Sequence, residues 1–161
     1  MYPVIVLALL WFGADKLLRN LQKQNDLKQH PPTELIAGGI VLKASPDGHF
    51  RGSVNINNTL MPFMIDTGAT QTVIPVELAK KAGLALGKQF LSNTAGGQVI
   101  NHATVVKSLK LGNAEIKNID AAVNQYLHEV LIGMNTLKYF QMTQNNNTLT
   151  LTTQKSLSTI R

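Results

Sequence analysis

From His49 to Thr153 the apolar residues recur with a period of about two, and pairs of turn-forming side chains cut the chain into short runs. A period of two belongs to strands with one buried and one solvated face. His49 to Ile56 (HFRGSVNI) alternates between Asp47-Gly48 and Asn57-Asn58, both of them turn chemistry. Leu60 to Ile65 (LMPFMI) is nearly all apolar, which predicts a strand buried on both faces with Pro62 at an edge or a bulge. Gln71 to Ile74 is a third strand. Pro75 suits the first turn of a helix over Val76 to Ala82, with Gly83 in the position that ends it.

Beyond the helix, Phe90 to Leu111 holds two β-prone halves around Thr94-Ala95-Gly96-Gly97, the pattern of a long hairpin. Ala114 to Val123 is another strand, and Val130 to Ile132 a short buried one. Gln141 to Gln144 and Thr148 to Thr153 flank Asn145-Asn146-Asn147 as a closing hairpin. Many short strands with one short helix predict an all-β fold, a small barrel or sandwich.

The start of the chain is different. Met1 to Ala14 carries no charged side chain, and the first eighteen residues span roughly 27 Å as a helix, close to the hydrocarbon core of about 30 Å. Residues 1–18 are read as a membrane anchor. A cleaved signal peptide is the rival, but it lacks a basic start, and Phe12 is bulky where a small residue is wanted. Residues 19–39 read as an amphipathic helix, stopped by Pro31-Pro32, and a linker or lead-in strand. Residues 40–161 are then a single domain of 122 residues. Four bases follow the apolar block and none precedes it, which would place the domain in the cytoplasm, but Asp15 and Asp26 among them weaken that bias and leave the membrane side open.

Charge and composition narrow the chemistry. Of the net charge of +6, residues 36–161 carry +5 on bases that are scattered apart from Lys80-Lys81, and the single Trp lies in the apolar block. Nucleic-acid binding wants clustered bases with interleaved aromatics, so no nucleic-acid partner is expected. The absence of Cys removes disulfides, thiolate metal sites and a thiol nucleophile. His30, His49, His102 and His128 show no metal-ligand spacing, and no dinucleotide or Walker fingerprint is present, so neither a metal nor a cofactor is expected. Asn57-Asn58-Thr59 and Asn146-Asn147-Thr148 match the glycosylation sequon, but turn chemistry accounts for both.

The informative stretch is Phe63-Met64-Ile65-Asp66-Thr67-Gly68-Ala69-Thr70. An apolar strand delivers one carboxylate into a loop. Asp66 can act as general acid or base, Thr67 can lock the loop through its hydroxyl, and Gly68 permits close backbone approach. Asp-Thr-Gly alone is also ordinary turn chemistry. Its context is more specific, because an aliphatic strand and a short helix follow and Leu131-Ile132-Gly133 comes some 65 residues later.

With GHFRGSVN, FMIDTGATQTVIP, VELAKKAGL, TAGG and VLIGMNTLKYF in that order, the chain resembles the retropepsin-like aspartic proteases from about Gly48 to Thr153. It is most similar to the bacterial membrane-anchored members with one Asp-Thr-Gly per chain. The resemblance implies a small closed acid-protease barrel with Asp66 at the base of a cleft. It matches Thr94, Ala95, Gly96 and Gly97 to the tip of a mobile flap that contacts peptide, and Leu131, Ile132 and Gly133 to the segment supporting the catalytic loop. It also implies an aspartic endopeptidase, with a peptide or protein as substrate and the bacterial inner membrane as location.

Aspartic proteolysis needs two carboxylates sharing a proton. Asp47, Glu77, Glu115, Asp120 and Glu129 lack the apolar-strand setting of Asp66, and Asp47 and Asp120 read as turn or strand-edge positions. The second Asp66 is therefore expected from another copy, in a two-fold homodimer. Thr148 to Thr153 is the candidate for pairing across the axis, with an ordinary edge strand as the equal alternative. A catalytically silent dimeric binding module on the same fold is the rival function, and a basic membrane-surface adaptor a weaker one.

Overall fold

The structure, a computed structural model, describes residues 14–19, 33–94 and 96–153. In chain order the elements are β1 (Glu34–Ile36), β2 (Gly39–Lys43), β3 (Arg51–Ile56), β4 (Thr59–Ile65), β5 (Thr72–Pro75), α1 (Val76–Lys81), β6 (Gln89–Thr94), β7 (Gly97–Leu111), β8 (Ala114–Asn124), β9 (Val130–Ile132), α2 (Met134–Leu137), β10 (Phe140–Asn145) and β11 (Thr148–Thr153). Turn residues set these boundaries. Asn57 and Asn58 both take positive φ, 48° and 65°, the conformation a two-residue hairpin needs between β3 and β4. At the end of α1, the Gly83 N–H reaches the Lys80 carbonyl and the Leu84 N–H the Ala79 carbonyl, with Gly83 at φ 64°. This is a Schellman cap, and it turns Leu84 into the core.

Seven strands form one sheet in the order β3-β4-β9-β5-β8-β7-β6, and β3 pairs again with β7 through Asn55–Lys110 and Ile56–Leu109. The sheet therefore closes into a barrel, leaving β6 and the upper half of β7 as a projecting hairpin. Phe63, Ile74, Val106, Leu109 and Ile132 fill the interior with essentially no exposure. Each such side chain contributes roughly 1.5–3 kcal/mol of burial free energy.

A second sheet has the order β1-β2-β11-β10. Ile40 and Leu42 of β2 and Leu149 and Leu151 of β11 are buried in the same core. The backbones crowd here: a Cβ on Gly39 would stand 2.0 Å from the Leu151 carbonyl oxygen, and one on Gly112 2.5 Å from that of Gly39.

Several expectations change. β4 is not buried on both faces: Met61, Phe63 and Ile65 point inward, while Leu60 is 69% exposed. Its outer face is apolar but only partly covered, with Pro62 and Met64 half-buried. Pro62 sits at a gap in pairing. Ile65 N–H donates to Phe50, so in this alternating ladder the Pro62 nitrogen faces away from β3, one residue before pairing with β9 begins. The barrel carries two short helices instead of one, because Asn135, Thr136 and Leu137 wind into a turn after Gly133. The lead-in forms the β1–β2 hairpin, which crosses the boundary expected at residue 40. Asp120 lies mid-strand in β8, opposite Val105, with its side chain exposed.

Thr148–Thr153 is not an edge strand. β10 and β2 pair with it on either side, because Gly39 lets β2 approach closely, so the open edges of this sheet among the described strands are β1 and β10. At the start of the chain, residues 14–19 are helical, with Leu17 and Leu18 exposed. The anchor expected over residues 1–18 lies otherwise outside the described residues, as do positions 20–32 of the amphipathic helix. Among the described residues no helix is long and apolar enough to cross a membrane.

Candidate active site

Asp66 leaves β4 at the point where the barrel strands part. Its N–H donates to the Ile132 carbonyl (3.1 Å), which continues the β4–β9 pairing one step past the strand. Its Oδ1 accepts the Gly68 N–H at 2.9 Å, and the Ala69 N–H donates to its carbonyl at 3.2 Å. The chain thus reverses tightly around the carboxylate, which stays half-buried.

The loop is held from outside by β9 and α2. Met134 N–H donates to the Ala69 carbonyl (2.8 Å), and Asn135 N–H to that of Thr70 (3.1 Å). Asn135 Oδ1 accepts from the backbone N–H of Thr72 (2.8 Å) and from its hydroxyl (3.1 Å), and the hydroxyls of Thr72 and Thr136 lie 2.7 Å apart. Gly133 is required where these pieces meet. A Cβ there would stand 2.4 Å from the Gln71 carbonyl oxygen and 2.9 Å from that of Ala69. Thr67, expected to lock the loop, is exposed and makes no hydrogen bond among the described residues; Thr72 and Asn135 hold it instead.

A cleft of about 810 Å³ opens beside Asp66. Asp66, Gly68, Ala69 and Thr70 line it from the loop, Leu131 from β9, and Thr94 and Gly96 from the β6–β7 hairpin. Thr67, Gly97, Ile132 and Gly133 do not line it, and Ala95 lies outside the described residues. At the hairpin tip Thr94 Oγ1 donates to the Gly97 carbonyl (2.7 Å), and Gly97 has φ 109°, a conformation open to glycine. Leu131, Val73 and Ala122 line the floor of the cleft, in a register row that continues outside it through Met64 to Arg51.

Reasoning from sequence did not find the polar wall of the cleft. Ser92 on β6, Asn101 on β7 and Asn124 on β8 are hydrogen-bonded in series, with both amides almost fully buried. The signal available was polar residues at inward positions of β-prone runs. Among the described residues Asp66 is the single acidic side chain lining the cleft.

At the far end of that row, Arg51 bonds Glu129 (3.0 Å) and both oxygens of Asp47 (2.8 and 2.7 Å). Burial weakens the charged form of the guanidinium, but the two carboxylates outweigh it and hold its pKa above the ordinary value. The His49 N–H, and then Arg51, hold Asp47 below the usual carboxylate range. On the barrel surface the Ser108 hydroxyl lowers Glu115 in the same way.

The comparisons with known proteins agree with this geometry. Residues 52–139 match the family model described as "gag-polyprotein putative aspartyl protease". The chain belongs to this family. A retropepsin-like aspartic protease from Rickettsia conorii superposes with a TM-score of 0.59 at 31% identity, covering 74% of this chain and 93% of that one. The barrel is thus a retropepsin-like fold. An uncharacterized protein of Rickettsia prowazekii is 33% identical over 108 residues, 65% of this chain and 46% of its own length. Another, from a Sinorhizobium species, is 27% identical over 110 residues, 65% of this chain and 47% of its own length. The chain therefore spans about half the length of the curated relatives it matches.

Proposed function

We propose that the chain is an aspartic endopeptidase that works as a homodimer, with Asp66 of each protomer forming the catalytic pair. The observation that carries this reading is a cleft in a retropepsin-like fold holding one loop-mounted carboxylate and no second acidic side chain among its described walls. One ionised carboxylate takes a proton from a water molecule as the water oxygen attacks the scissile carbonyl carbon. The other, protonated, donates to the carbonyl oxygen. Collapse of the tetrahedral adduct returns a proton to the amine as the C–N bond breaks. Sharing one proton between two like charges is the established chemistry of the aspartic-protease dyad.

In this reading the β6–β7 hairpin closes over an extended peptide, with the glycines at its tip absorbing the motion. Leu131, Ile132 and Gly133 keep the loop in place. The apolar start tethers the enzyme to the bacterial inner membrane, which raises the local concentration of protomers and lets a weak dimer function.

Asp66→Asn tests the reading. The variant should keep the wild-type melting temperature and lose all peptide cleavage. Cleavage persisting in a clean Asp66→Asn preparation rejects Asp66 as the catalytic group. A wild-type dimer that binds peptide and never cleaves it would be a binding module.

A further inference from the structure

The polar wall of the cleft has a fixed hydrogen-bond direction. The Tyr126 backbone N–H, which can only donate, lies 2.7 Å from Asn124 Oδ1. That fixes the Asn124 amide, whose Nδ2 then donates to Asn101 Oδ1 at 2.6 Å. Asn101 is fixed in turn, and its Nδ2 donates to Ser92 Oγ at 2.8 Å. Each step follows from the one before, because a carboxamide has one accepting and one donating end.

The series ends on Ser92. Its oxygen already accepts from Asn101, and among the described residues no protein group takes its proton. Ser92 is half-buried and lines the same cleft as Asp66, on the inner face of the hairpin with Val99 and Asn101. Hydrogen bonds running in one direction polarise one another, so the Ser92 hydroxyl is a strengthened donor aimed at whatever occupies the cleft. Asn101 and Asn124 are 4% and 6% exposed, which keeps water from competing along the series.

We infer that Ser92 binds substrate by donating its hydroxyl proton to an oxygen acceptor of the bound peptide, and that Asn101 and Asn124 are positioning residues that hold it in the donating state. The inference rests on the reading of the cleft as a peptide site and adds a binding group to it. The acceptor is a backbone carbonyl or a side-chain carboxylate or carboxamide oxygen. In either case the site favours a peptide that presents an acceptor to the hairpin.

The test measures cleavage of a synthetic octapeptide library by the full chain. It also measures the dissociation constant of the best peptide on an Asp66→Asn background, where nothing is cut. Ser92→Ala is expected to raise KM and the dissociation constant about tenfold with kcat held, and Ser92→Thr, which keeps the hydroxyl, to restore both. A loss uniform across the library identifies a backbone carbonyl. A loss confined to peptides with Asp, Glu, Asn or Gln at one position identifies a side-chain oxygen.

Asn101→Asp supplies a second variant. A carboxylate cannot donate to Ser92, so the hydroxyl turns inward, and binding should weaken as in Ser92→Ala although Ser92 is intact. If Asn101→Asp does not fold by thermal melting, the Ser92 pair decides. Binding within twofold of wild type in folded Ser92→Ala or Asn101→Asp overturns the inference, as does a folded Ser92→Thr that restores nothing. So does a chain that binds no library peptide. A chain that binds peptides and cuts none rejects the protease reading alone, and the dissociation constants still decide the role of Ser92.

Discussion

Asn135 holds Thr72 by two hydrogen bonds, from the backbone N–H at 2.8 Å and from the hydroxyl at 3.1 Å, although 63 residues separate them. The amide's other end donates to the Asp120 carbonyl at 2.6 Å. One side chain thus joins the strand leaving the Asp66 loop, the helix after β9 and the middle of β8. Asn135→Ala leaves the Thr72 N–H without its acceptor and is expected to cost about 2–4 kcal/mol of stability. Urea unfolding reads that loss. Peptide cleavage should fall further than the folded fraction explains, because the carboxylate loop loses its outer support.

The same junction makes Gly133 irreplaceable. The Gln71 carbonyl oxygen that a Cβ would meet at 2.4 Å is backbone and cannot swing aside. Gly133→Ala should therefore destabilise by about 3 kcal/mol or more. Gly48→Ala is the contrast: nothing lies within 4 Å there, and its φ of 85° is the single source of strain. A pair of thermal melts, with the larger drop at position 133, checks this.

These two residues also show how far the sequence could be read. Gly133 is legible because Leu131-Ile132-Gly133 is a local apolar-apolar-Gly pattern that the family resemblance matches to the support of the catalytic loop. Strands, turns and the hairpin around Thr94 to Gly97 were legible for the same reason: period two and Asn or Gly turns act over a few residues. Asn135, Thr72 and the Ser92–Asn101–Asn124 series were not legible. Each bond spans from 9 to 64 residues, and a polar residue in a β-prone run looks the same whether it faces solvent or a buried partner. The place of Thr148–Thr153 inside its sheet was hidden for a related reason. Whether a strand is central depends on a second strand, β2, whose approach Gly39 permits.

Arg51 should matter more to stability than an exposed ion pair does. Its side chain is 13% exposed and that of Glu129 22%, and the second Glu129 oxygen is buried with no hydrogen-bond partner. Arg51→Met would leave that carboxylate half-buried and uncompensated, at a cost of about 1–3 kcal/mol. Glu129→Gln removes the buried charge while keeping an oxygen that accepts from Arg51, and should cost less. Denaturant midpoints of the two variants test the order.

Asp47 supplies an acid-dependent part of the stability. Its folded pKa lies below the usual carboxylate range, first through the His49 N–H and then through Arg51. A carboxylate depressed on folding stabilises the protein above its unfolded pKa, and that contribution disappears as pH falls through the folded value. The drop in melting temperature below about pH 4 should therefore be shallower in Asp47→Asn, whose side chain keeps an acceptor for the His49 N–H but does not titrate. The two melting curves should run parallel near neutral pH.

Subunit mixing separates a shared active site from two independent ones. If each site needs Asp66 from both protomers, a dimer of one wild-type and one Asp66→Asn chain is inactive. In an equal mixture allowed to exchange, only the wild-type pairs cut peptide, so activity per wild-type chain should fall to roughly half of its unmixed value. Independent sites would leave that value unchanged. The dilution dependence runs the same way: specific activity of the wild type should fall as the chain is diluted below its dimer dissociation constant, and an excess of Asp66→Asn chain should deepen the loss, because it captures the remaining wild-type protomers.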